Sequence, residues 1–134
     1  MNVLFVCRSN AGRSQIAQAF YNRLSMKNSS VSAGTHVENE GADGERLPDK
    51  VNAAMLEAGY DMWEHRRTQL TKDMTKNADK IVVMCDETDL PEYVDKHGVE
   101  FWHVPDAKGT TLERHKEVRD KIKAHVEELV KKTG

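Results

Sequence analysis

VLFVCRSNAGRSQIAQAF, Val3 to Phe20, is the stretch on which the architecture of this 134-residue chain turns. It opens with four apolar residues, Val3 to Val6, the pattern of a short buried strand. Cys7 ends that run, and Arg8-Ser9-Asn10-Ala11-Gly12-Arg13 follows as a small polar loop. Ser14 is expected to cap a helix whose apolar face carries Ile16, Ala17, Phe20 and Leu24. A cysteine therefore stands where a strand ends, and an arginine where a helix begins.

That order has chemical consequences. A loop that wraps onto a helix start turns several backbone N–H groups inward, and the helix dipole adds positive potential. An anion of phosphate size fits such a cradle. Arg13 supplies a planar, bidentate clamp for two of its oxygens. Gly12 lets the backbone approach the anion, and Asn10, tolerant of left-handed geometry, is expected to hold the loop in shape. The same field favours a nucleophilic thiolate at Cys7, to which Ser14 can donate a hydrogen bond. The expected catalytic pair is Cys7 and Arg13, with Arg8, Ser9, Asn10, Ala11, Gly12 and Ser14 binding substrate.

Working outward, 134 residues are expected to form one domain with a single sizeable core. Hydrophobic residues make up 38% and charged residues 31%, the balance of a soluble globular protein. A net charge of -2 gives no reason to expect nucleic-acid or membrane partners. The first apolar run is far too short for a signal peptide or a membrane span. Two cysteines without a Cys-x-x-Cys pair suit a reducing, cytoplasmic setting. The six histidines are scattered, so no metal site is expected; His115 and His125 read as helix-surface residues. No glycine-rich nucleotide motif is present, and no cofactor is expected.

Further along the chain, Val31 to Gly34 reads as a second strand, and 35–47 as a polar loop long enough to be functional. Pro48 suits a first helical position, with Gly59 as the stop. The segment from Tyr60 to Arg67 reads as a packed connector with solvated charges. Lys80 to Met84 is a third strand, ending at Cys85-Asp86. A short helix is expected from Asp89, stopping at Gly98. Val99 to Val104 reads as a fourth strand and Pro105 to Gly109 as a turn. Thr110 and Glu113 suggest a capping box before a helix carrying Val118, Ile122, Val126 and Leu129. Strands alternating with helices imply an α/β three-layer sandwich, a four-stranded parallel sheet flanked by helices. In such sheets ligands bind beyond the carboxyl ends of the strands, where Cys7, Cys85 and Asp106 should gather. Asp106, on a loop at that edge, is the expected proton donor to a leaving oxygen.

The same residues carry a family resemblance. The opening stretch resembles the phosphate loop of low-molecular-weight protein tyrosine phosphatases and thioredoxin-type arsenate reductases, which share one fold. Cys7, Asn10, Arg13 and Ser14 match its motif, and the likeness continues at Ser32 to Thr35, Asp79 to Asp86 and Pro105-Asp106. It implies a phosphocysteine on Cys7 and a general acid at Asp106, although Ala107 stands where the phosphatases usually carry proline. Reductases of this fold place a second cysteine after the strand matching Lys80 to Met84. Cys85 fits that position as a redox candidate, but a third cysteine is lacking. A Cys7–Cys85 disulfide relieved by a thioredoxin-like reductant is therefore the alternative. The aromatic pocket walls of the tyrosine phosphatases have no counterpart in the 35–47 loop, and Lys108 stands at another such position.

The resulting expectation is a phosphatase acting on a phosphorylated protein or small phosphate ester, with arsenate reduction as the alternative. A phosphocarrier is disfavoured by Arg13 and Asp106, and a non-catalytic phosphate reader by Cys7.

Overall fold

The apolar run that opens the quoted stretch becomes an inner strand of a parallel sheet. The computed structural model describes residues 1–134. Its strands are β1 (Asn2–Cys7), β2 (Ser29–Gly34), β3 (Lys80–Val83) and β4 (Glu100–Phe101). Its helices are α1 (Arg13–Leu24), α2 (Asp49–Glu57), α3 (Lys72–Asn77) and α4 (Leu112–Thr133). All strand pairs are parallel, in the order β2-β1-β3-β4. The chain leaves β1 toward one edge and returns past it to β3, so strand order reverses at β1. The crevice beyond the carboxyl ends of β1 and β3 is the place such a sheet offers a ligand.

Period-two alternation divides the core. Val3, Phe5 and Cys7 of β1, with Val82 and Met84, face a large cluster formed with α1, α2 and α4. Leu4, Val6 and Val83 face a smaller cluster with Ala33, Leu70, Leu90 and Val94, against which Cys85 packs. The two cysteines thus belong to opposite faces of the sheet. Phe5, Phe20 and Ile122 are wholly buried on the larger face, each contributing about 1.5–3 kcal/mol. The anticipated α/β sandwich forms, with one helical layer much heavier than the other.

Several boundaries differ from expectation. Gly12, not Ser14, occupies the cap position of α1, and no side chain caps it. Ser14 lies inside the first turn, where its hydroxyl is committed to the loop. The helix expected from Asp89 is replaced by two 3₁₀ turns, Glu87–Asp89 and Lys96–Gly98. Asp86 and Asp95 each accept from the backbone N–H two residues on, a local bond that favours turns over helix. β4 is only two residues long: Trp102 N–H still donates to Val83, but the chain then leaves the sheet. α4 is capped by Thr111 rather than Thr110, accepting from Arg114 N–H, so Glu113 closes no capping box.

Candidate active site

The loop after β1 is fixed from below by side chains. Asn10 adopts φ 50, the left-handed conformation an asparagine accepts more readily than most residues. Its Oδ1 accepts from Thr68 N–H at 2.8 Å and from Gln15 Nε2 at 2.8 Å. Because a backbone N–H only donates, this fixes the amide orientation. Asn10 Nδ2 then donates to Ser14 Oγ at 2.7 Å and to Ser32 Oγ at 3.0 Å. Cys7 Sγ, 3.0 Å away, is the one acceptor within reach of the Ser14 hydroxyl proton, so Ser14 donates to the sulfur. Asn10 N–H donates to the same sulfur at 3.2 Å. Cys7 is 2% exposed and receives both donors.

The chain of donors extends one step further back. Gln15 Nε2 also donates to Arg66 O, so Gln15 Oε1 is the acceptor for His65 Nδ1 at 3.0 Å. His65 therefore carries its proton on Nδ1. Burial pushes its pKa down from the ordinary value, with Asp61 acting in the opposite direction. Donation runs from His65 through Gln15, Asn10 and Ser14 to Cys7.

Gly34 supports the loop from the neighbouring strand. A Cβ there would lie 2.7 Å from Asn10 N and 2.8 Å from Arg8 O, so only glycine fits beneath the loop. At Gly12 a Cβ would meet only Val51 Cγ2, at 3.7 Å. Packing thus demands the glycine outside the sequence motif more than the one within it.

Above this support lies a cleft of about 270 Å³, with Cys7 at its floor and Ser9, Ala11, Gly12 and Arg13 along one side. Arg13 is the first residue of α1, and its guanidinium reaches across the strand ends. Nη1 donates to Met84 O and to Val104 O, the latter at 3.2 Å. Nη2 lies 3.9 Å from Asp106 Oδ2. The Asp106 carboxylate is 53% exposed at the mouth of the same cleft, its Oδ1 accepting from Lys108 N–H at 3.0 Å.

The remaining expected residues stand elsewhere. Arg8 turns its side chain outward, 2.7 Å from Asp89. Asn10 and Ser14 lie wholly buried beneath the loop. Cys85 is beyond the cleft walls, and burial, reinforced by Cys7 and Asp89, pushes its thiol up to about 12, Arg13 pulling the other way.

Two cleft residues escape the sequence reading. Arg67, which reads in sequence as a solvated charge, donates through Nε to Ser9 O at 3.0 Å and pairs with Glu40 at 2.8 Å. Ser9 Oγ also donates to Glu40, at 3.0 Å, so the 35–47 loop braces the loop after β1. No local pattern marks Arg67, because its partners lie far away in sequence. His115, which reads in sequence as helix surface, is 8% exposed and lines the cleft. Its spacing did carry a signal, since it falls three residues before Val118 on the buried stripe.

A sequence profile described as low molecular weight phosphotyrosine protein phosphatase matches residues 2–134. The chain belongs to that family. Arsenate reductase from Staphylococcus aureus (strain Newman) is 30% identical over 130 residues, covering 93% of this chain and 92% of the relative. Among solved structures, Vibrio vulnificus Wzb in complex with benzylphosphonate superposes with a TM-score of 0.89 at 20% identity, covering 98% and 97% of the two chains. The low molecular weight protein tyrosine phosphatase from T. tengcongensis gives 0.78 at 25% identity, covering 98% and 99%. The family thus includes both phosphatases and arsenate reductases. The Wzb likeness bears on the fold alone.

Proposed function

We propose that this low molecular weight phosphatase family member is a hydrolase of phosphate monoesters, working by the route of protein tyrosine phosphatases. Cys7 thiolate attacks phosphorus while the loop N–H groups and Arg13 hold the non-bridging oxygens. An S–P bond forms, the ester P–O bond breaks, and Asp106 in its acid form gives its proton to the departing oxygen. The Asp106 carboxylate then takes a proton from water attacking the phosphocysteine. Inorganic phosphate leaves, and the thiolate and acid are restored.

The observation that carries this reading is the cleft's ordering: a sulfur at the floor, a guanidinium beside it and a carboxyl group at the mouth, 3.9 Å from that guanidinium. Its test is turnover of p-nitrophenyl phosphate by the purified chain and by Asp106→Asn. Brisk release in the first and a fall of about 10²–10³-fold in the second is the expected result. Absence of release in both would discard the reading.

A second reading, reduction of arsenate, draws on the reductase relatives at 30% identity. Cys7 would add to arsenate with loss of water. Cys85 would attack the Cys7 sulfur, leaving a disulfide as the arsenic accepts two electrons, and an external dithiol would reduce that disulfide. Two features oppose it. Cys85 packs on the opposite face of the sheet, so bridging requires the chain at 84–86 to turn over. A thiol pushed up to about 12 is ionised in about one molecule in 10⁴ at pH 8. Loss of two hydrogens from the intact mass with arsenate but not with phosphate, mapped to Cys7 and Cys85, would establish the reductase instead.

A further inference from the structure

The outer wall of the cleft is chemically unlike its floor. It is built from the start of α2, Pro48 to Val51, from 106–109 and from His115 at the start of α4. No phenylalanine, tyrosine or tryptophan contributes to it, so an aromatic leaving group finds no ring to stack on. Cationic and donor groups are present instead. Lys50 Nζ reaches Thr110 O at 2.6 Å, which joins α2 to the loop that bears Asp106. Lys108 lines the cleft with no ion-pair partner.

His115 adds an independent pointer to a ligand. Its Nδ1 is engaged by Thr111 O at 2.8 Å, so its proton sits there and Nε2 has no partner within the protein. A histidine that is 8% exposed keeps a free polar nitrogen only where it meets a ligand or water, and the space it borders is the cleft. The N-terminus of α2 also opens on this wall and adds positive potential.

Countercharge on the wall is scarce. Of the lining cations, Arg13 faces Asp106, and Arg67 is paired with Glu40 and Glu45. Lys50 and Lys108 then stand against one further carboxylate, that of Asp49. A cleft of about 270 Å³ also holds a small ester better than an extended one.

We propose that this outer wall is a subsite for a second anionic group, so that the preferred substrates are small phosphate monoesters whose leaving group carries a carboxylate or a second phosphate. Lys108 and Lys50 supply the attraction, and His115 supplies a short-range polar contact at the inner end. The inference rests on the hydrolytic reading of Cys7, Arg13 and Asp106, and adds to it the identity of the leaving group.

The test compares three aryl phosphates: 4-carboxyphenyl phosphate, its neutral counterpart 4-carbamoylphenyl phosphate, and 4-(phosphonomethyl)phenyl phosphate. The first and third distinguish carboxylate from phosphate as the second anion. The ratio of kcat/KM for either anionic ester to that for the carboxamide should be about tenfold at low salt, falling toward one near 0.5 M KCl. Lys108→Gln and Lys50→Gln should each lower that ratio about threefold, and the salt series reads the same charge without any mutation. His115→Gln should lower it less. A wild-type ratio of one at low salt would overturn the subsite while leaving the phosphatase reading intact. Turnover of none of the esters would overturn the phosphatase reading. Calorimetry of the same pair on Cys7→Ser then decides the subsite: tighter binding of the carboxylate upholds it, and equal binding overturns it.

Discussion

The floor of the cleft and its outer wall are held in opposite ways. Around Cys7 the side chains of Asn10, Ser14, Gln15 and Ser32 are buried, and all four join one directed set of hydrogen bonds. The loop bearing Asp106 is exposed and held by few bonds: Lys108 N–H to the Asp106 carboxylate, Thr110 to Ala107 O, and Lys50 to Thr110 O. The first arrangement suits a nucleophile that must keep one position. The second suits a carboxyl group that meets both a leaving group and water. In the proposed hydrolysis, fixed geometry is concentrated where the S–P bond would form, and adaptable geometry where substrates would differ.

The comparison breaks most easily at Arg13. This residue bridges the two regions, from the loop to Met84 O, Val104 O and Asp106. Arg13→Ala should cost p-nitrophenyl phosphate turnover about 10³-fold or more, since both the clamp on the transferred group and the brace on the acid loop are lost. Arg13→Lys should recover only a small part, because an ammonium cannot reproduce the forked geometry. Turnover within tenfold of wild type in either variant would remove Arg13 from the proposed chemistry.

Asp106→Asn should cost less, about 10²–10³-fold in kcat, and should abolish one limb of the pH–rate profile. Unfolding free energy should shift by no more than about 0.5 kcal/mol, because the side chain is half in solvent. Gly34→Ala sharpens the contrast from the other side. A methyl group 2.7 Å from Asn10 N must displace the loop, so stability should fall by about 1–3 kcal/mol and kcat by roughly tenfold or more. If Gly34→Ala lowers rate without stability, or Asp106→Asn lowers both, the division between a rigid floor and an adaptable wall is wrong.

The floor was far more legible in the sequence than the wall. Strand, loop and helix are contiguous from Val3 to Phe20, so periodicity and motif spacing identify them with no knowledge of distant contacts. Even there Ser14 reads as a cap although Gly12 holds that position, because a serine at a helix start looks alike whether it bonds the backbone or a sulfur. Val99 to Val104 alternates like a strand, yet only Glu100–Phe101 pairs with β3. Arg67, Gly34 and Glu40 act through residues 22 or more positions away along the chain, and no local pattern reports that. The sheet's two faces sort Cys7 from Cys85, and that separation follows from strand alternation once β3 is in register with β1.

The smallest expected effect lies at the far end of the floor's donor chain. His65 gives its Nδ1 proton to Gln15, and its pKa is lowered in the fold, chiefly by burial. A histidine whose folded pKa lies below its unfolded value of about 6.5 binds fewer protons folded than unfolded in the interval between the two. Its contribution to stability is therefore complete above about pH 6.5 and is lost as pH falls through the interval to the folded pKa. Urea midpoints measured from pH 7.5 down to 5.5 should decline in the wild type and decline less in His65→Gln, which keeps a donor for Gln15 and cannot titrate. The carboxylates with lowered values, Glu57, Asp86 and Glu100, act only below about pH 4.5 and leave this window to histidines. Equal slopes in the two proteins would detach His65 from the support of the loop. That support would then begin at Gln15, with Arg66 O as its outermost anchor.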